Sequence, residues 1–133
     1  MKLGTTVLTF AGAASLLISG LAVAGQKDTG GTVNIYGSNL RVMGSLSAAR
    51  NSSNTVEYLG CKVSVSPGSA PSVTCSAQNS AGVQFSCSSS DAGLVNVALG
   101  IKGDSFINVN RDSAGTCTLL AVDNSSIHGP KAP

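Results

Sequence analysis

Four cysteines, Cys61, Cys75, Cys87 and Cys117, all fall on the apolar side of a period-two pattern. The odd positions Leu59, Cys61, Val63 and Val65 are apolar. So are Val73, Cys75 and Ala77, then Val83, Phe85 and Cys87, then Ile107 and Val109, and then Cys117, Leu119 and Ala121. Polar residues alternate with them at Lys62, Ser64, Thr74, Ser76, Gln84, Ser86, Asn108, Asn110 and Thr118. Such alternation marks antiparallel strands with one face on a core. Phe106, Leu120 and Val122 break it, so both faces are expected to be covered there. Val42, Gly44, Leu46 and Ala48 alternate less cleanly and suggest one more strand.

The turns agree with this reading. Asn79-Ser80-Ala81-Gly82 and Asp112-Ser113-Ala114-Gly115 each separate two strands. Each offers an Asn or Asp side chain to its own backbone and a Gly able to take positive φ. Three-residue hairpin loops ending in Gly close through a bulge of this kind. Pro67-Gly68 marks a longer loop. Residues 91–100 depart from the strand pattern: Asp91 can cap a helix, Leu94, Val95, Ala98 and Leu99 can form its apolar face, and Gly100 can end it. The fold expected is mainly β: a small antiparallel sandwich or curled sheet of about six strands, with two disulfides and one short helix at 91–100.

An even cysteine count in a small exported chain reads as two disulfides. Metal binding is the competing reading, but there is no C-x-x-C and the single His, His128, stands near the C-terminus. All four cysteines share one strand parity, which leaves two connectivities open. One joins Cys75 to Cys87 and Cys61 to Cys117. The other joins Cys61 to Cys75 and Cys87 to Cys117. The shorter turn at Asn79–Gly82 fixes its register better than the Pro67 loop does, and so favours the first.

The compartment follows from the N-terminus. Lys2 precedes an uncharged stretch from Leu3 to Leu21, which ends in Ala22-Val23-Ala24 before Gly25. This is the pattern of a cleaved signal peptide over residues 1–24. A retained anchor is the competing reading, since the stretch is about as long as a spanning helix. Gly4, Gly12 and Gly20 dilute it, and the cleavage-like site ends it. Residues 25–39 read as a flexible leader carrying one edge strand around Val33–Tyr36, residues 40–124 as the disulfide-stapled β domain, and residues 125–133 as a flexible tail. The segments Ala49-Arg50-Asn51-Ser52, Tyr58-Leu59-Gly60-Cys61, Gly103-Asp104-Ser105, Gly115-Thr116-Cys117-Thr118, Asn124-Ser125-Ser126 and Pro130-Lys131 occur in that order around Cys75 and Cys87. In this the chain resembles a group of small exported bacterial proteins with an ARNS…Y-[IL]-G-C…C…C…GDS…G-x-C-T…NSS…PK pattern. The resemblance implies export and a four-cysteine domain, and it carries over no catalytic residues. Members of that group often have an aromatic after the last Ser, where this chain has Ile127-His128.

Composition narrows the function classes. The chain has 8 Lys and Arg against 6 Asp and Glu, a formal net charge of +2, and Lys2 leaves with the signal peptide. The charges are scattered, which is not the footprint of a nucleic-acid binder. No P-loop, G-x-G-x-x-G or H-E-x-x-H motif occurs. A hydrolytic triad needs a positioned base, and His128 lies in a Gly- and Pro-flanked tail. Asp91, Asp104, Asp112 and Asp123 all stand in or beside turns, where capping is their commoner role. Asp104, Asn108, Asn110 and Asp112 form the one grouping that could gather around Ca²⁺. No catalytic residue, cofactor or metal site is therefore expected, nor stable membrane insertion after cleavage. The expected role is binding another protein or envelope component, or self-assembly. The alternative is an accessory, inhibitor or immunity-type protein that docks a periplasmic or secreted enzyme through Ser66–Pro71 or Ser88–Ala92. An exposed apolar patch at Tyr36, Tyr58 or Phe106 would favour binding, and a deep polar pocket an enzyme. The edge strand near residues 33–36 could supply a self-association contact.

Overall fold

Two side chains close two hairpins in the same way. Asn79 Oδ1 accepts from the N–H groups of Ala81 and Val83 at 3.1 and 2.9 Å, and Gly82 sits at φ +79°. Asp112 Oδ1 accepts from the N–H of Thr116 at 2.8 Å, with Gly115 at φ +85°. Each Gly occupies backbone space that other residues enter only at a cost. The first turn joins strands Gln84–Ser89 and Ser72–Gln78, and the second joins Phe106–Arg111 and Cys117–Asp123.

The computed structural model describes residues 32–130. In chain order the elements are β1 (Val33–Tyr36), β2 (Arg41–Ser45), α1 (Leu46–Asn51), β3 (Tyr58–Ser64), β4 (Ser72–Gln78), β5 (Gln84–Ser89), α2 (Ala92–Ala98), β6 (Phe106–Arg111) and β7 (Cys117–Asp123). The strands form two antiparallel sheets, one ordered β1-β2-β6-β7 and the other β3-β4-β5. The sheets share one core in a sandwich-like arrangement. The first supplies Val33, Val42, Ile107, Val109 and Leu120, and the second Val73, Cys75, Ala77 and Phe85. The mainly β fold with two disulfides and a short helix inside 91–100 is thus present, with seven strands in place of about six.

The disulfides join Cys61 to Cys75 and Cys87 to Cys117. This corrects the connectivity that the sequence favoured. Cys75 stands opposite Cys87, as the hairpin register predicts. Cys75 also stands opposite Cys61 on its other side. The choice is made by the edges of the sheet. Cys61 and Cys87 occupy opposite edge strands, and the start of β7 lies against β5, where Ser88 donates to Gly115 O at 3.1 Å and bridges Thr116. Cys117 is therefore beside Cys87 and away from Cys61.

Further expectations meet a different arrangement. The strand read through Ala48 stops at Ser45, whose hydroxyl accepts from Ala48 N at 3.3 Å and caps α1. The helix-forming Ala48, Ala49 and Arg50 then outweigh the weak alternation. In β7 a register shift at Asn110/Arg111 flips the pattern. Leu120 and Val122 stand opposite Val109 and Ile107, facing the core, while Leu119 and Ala121 are exposed. Finally, residues 125–130 pack onto the domain. Ser47 Oγ donates to Gly129 O, Asn51 Nδ2 donates to Pro130 O at 3.1 Å, and His128 is buried. Strand β1 pairs along its whole length with β2, so the domain begins before residue 40. The proposed signal peptide, the leader up to residue 31 and residues 131–133 lie outside the described residues.

Candidate binding surface

Helix α2 is held at its start by Asp91, whose Oδ1 accepts from Leu94 N at 2.9 Å. Asp91 N in turn donates to Ser89 Oγ at 3.1 Å, which ties the cap to the end of β5. The helix turns Val95 and Ala98 into the core. It is only seven residues long, so its apolar stripe runs out at the C-cap, and Leu99 is left 68% exposed. No other large apolar side chain among the described residues is more exposed, which singles out this spot.

Two loops meet Leu99 there. The β3–β4 loop turns through Gly68, with Ser69 N donating to Ser66 O at 3.0 Å, and presents Ala70 and Pro71. The β5–α2 connection presents Ser90 and Ala92. With Val95, Asn96 and Leu99 they line an open groove of about 280 Å³ that carries no charged side chain. A neighbouring groove shares Ser90 and is lined with hydroxyls from Ser72, Thr74, Ser88, Ser89 and Thr116. Such a surface can take an apolar side chain of a partner and hydrogen-bond its surroundings. Nothing in its lining can act as a general base near neutral pH. Both loops singled out from the sequence, Ser66–Pro71 and Ser88–Ala92, therefore contribute to one surface. The apolar spacing puts Leu99 on the helix's apolar face, and its exposure follows from where the helix stops.

The aromatic residues do not form one patch. Tyr36 lies on the four-stranded sheet and Tyr58 on the three-stranded one, each about half exposed. Phe106 stacks against His128, with ring centroids 5.0 Å apart and 14° between planes. His128 Nε2 lies 3.1 Å from Asp123 Oδ2. Asp123 Oδ1 accepts from Ser125 N at 2.8 Å. That backbone hydrogen bond, and then the contact with His128, holds the Asp123 carboxyl below its ordinary value. The nearby hydroxyls are engaged elsewhere: Ser105 Oγ donates to Asn124 Oδ1, and Ser45 and Ser47 Oγ pair with each other at 2.7 Å. His128 thus closes over Phe106 and fastens the C-terminal segment. The outward-facing Phe106 was the sequence signal that something must cover it.

The grouping considered for Ca²⁺ is not brought together. Asp104 and Asp112 stand beyond opposite ends of β6. Asn108 Oδ1 accepts from Arg41 Nε at 3.0 Å, a cation at the place a metal would need, and Asp112 is spent on its turn. Among the described residues no three His, Cys, Asp or Glu side chains are grouped as a metal site. Nor is any helix among them long and apolar enough to cross a membrane. No protein-family model, curated protein or solved structure matches the chain.

Proposed function

We propose that this is an exported, non-enzymatic binding protein that engages a protein of the cell envelope or the extracellular space through the groove at Leu99. The observation that carries the reading is the convergence of the loops at Ala70–Pro71 and Ser90–Ala92 on an apolar side chain left largely in water. Exposed apolar groups ringed by small polar ones are a common form of contact site. Two disulfides suit an oxidising compartment, and the signal-like residues 1–24 supply the route to it. Rigid loops lower the ordering cost of binding, and here Cys61–Cys75 and Cys87–Cys117 brace the strands that carry them.

The alternative within the same class is an accessory, inhibitor or immunity-type protein whose partner is a secreted or periplasmic enzyme. It uses the same surface and differs in what is bound. A photo-crosslinking residue placed at Asn96, on the groove wall, tests both. The expected result is a discrete crosslinked protein in the exporting cells, lost when Leu99→Asp is added, and its identity separates the two readings. A crosslinking pattern the same as from a control position at exposed Val65, or one indifferent to Leu99→Asp, contradicts the groove as the contact.

A further inference from the structure

The outer face of the four-stranded sheet holds a second feature, independent of the groove. Ile35, Val42, Ile107 and Val109 point inward from β1, β2 and β6, so their neighbours in sequence point outward. Strand register then places Tyr36, Arg41, Asn110 and Leu119 in one row across all four strands. The next row is Asn34, Met43, Asn108 and Ala121. With strands about 4.8 Å apart, each row is roughly 14 Å long.

Arg41 is the only cation in these rows, and it is exposed. Its Nε is spent on Asn108 Oδ1 at 3.0 Å, which fixes the plane of the guanidinium. Among the described residues its two terminal nitrogens meet no carboxylate. Those nitrogens form the end-on fork that a carboxylate accepts in bidentate fashion.

We propose that this face binds an acidic sugar chain, with the carboxylate of a uronic-acid-type unit on Arg41. The amide of Asn34 and the Nδ2 of Asn108, whose Oδ1 is engaged by Arg41, offer donors and an acceptor for sugar hydroxyls. Tyr36, 48% exposed and adjacent to Arg41, offers an aromatic face for a sugar ring. A peptide carboxylate suits the fork too, but a row of amides gives its side chains no pocket.

The test is calorimetric titration of the purified exported protein with trigalacturonic acid at low salt, with the trimethyl ester and a tripeptide with a free C-terminus as comparators. The expected result is saturable binding to the acid that weakens with added salt. It falls about tenfold or more for the ester and for Arg41→Gln, the loss of one charge-assisted pair, and falls for Tyr36→Ala. Leu99→Asp is expected to bind as wild type, which separates this site from the groove. No saturable binding by the wild-type protein, equal binding by a folded Arg41→Gln variant, or tighter binding of the tripeptide overturns the proposal.

Discussion

The guanidinium carbon of Arg111 lies 5.4 Å from the centre of the Phe85 ring and so joins the end of β6 in one sheet to β5 in the other. Its Nη1 donates to Ser86 O and its Nε to Asn39 O, each at 2.8 Å. Asn39 belongs to the β1–β2 turn, where Ser38 and Asn39 hold φ of 55° and 66°. One side chain therefore ties a costly left-handed turn, an edge strand and a buried aromatic together.

Arg111→Ala is expected to cost about 2–3 kcal/mol, from two hydrogen bonds by a charged donor and the ring contact. Arg111→Lys should recover only part of this, because an ammonium cannot reach both carbonyls in a fixed plane. Urea unfolding of the three proteins checks the order wild type, Lys, Ala.

The two disulfides are expected to differ in their effect. Cys87–Cys117 closes the longer loop, at a separation of 30 residues against 14, and it alone crosses between sheets. Replacing Cys87 and Cys117 together by Ala should cost about 3–4 kcal/mol by the loop-closure argument, and the Cys61/Cys75 pair about 3. The larger observable difference should be in local opening. Hydrogen exchange of β7 should quicken in the first variant and stay near wild type in the second.

The Asp123–His128 contact predicts a pH dependence. The carboxyl is held below its ordinary value in the folded state, first by Ser125 N and then by His128. A group with depressed folded pKa stabilises above its unfolded pKa, and that stability is lost as the pH falls through the folded value. Stability should thus decline below the ordinary carboxylate range, and Asp123→Asn should decline less over the same window. Asp123 is exposed to solvent, so the difference should be small and should shrink in high salt. Thermal melts from neutral pH to pH 2 measure it.

At the hairpins, Gly82→Ala and Gly115→Ala should each destabilise by about 1 kcal/mol, since φ near +80° penalises a Cβ. Asn79→Ala removes two hydrogen bonds at once and should cost at least as much. Thermal denaturation of the three single variants checks this, and the spectrum of the folded state should not change.

These hairpins were legible because their determinants are local. Asn79 with Gly82, Asp112 with Gly115 and Asp91 as a helix cap act within four residues of themselves. The features that were not legible depend on neighbours distant in sequence. Which edge of β3-β4-β5 faces Cys117 decides the disulfides, and no local pattern carries it. The shift at Asn110/Arg111 reverses the facing of Leu119 and Leu120 without a glycine to mark it. The C-terminal segment looked loose from Gly129 and Pro130, yet Phe106 recruits His128 from more than twenty residues away. The groove was half legible. Its two loops stood out as exposed punctuation, while the isolation of Leu99 follows from the length of α2.

The disulfides Cys61–Cys75 and Cys87–Cys117 brace the strand edges and the strands that carry the loops at Leu99, and the proposed export supplies the oxidising compartment in which they form. The most direct test is the intact mass of protein recovered from the periplasm and the medium, before and after reduction and alkylation, with a non-reducing peptide map. The predicted result is a chain beginning at Gly25, lighter than its reduced form by four hydrogens, with peptides linked Cys61 to Cys75 and Cys87 to Cys117. A chain retaining residues 1–24, or four cysteines alkylated without reduction, would contradict it.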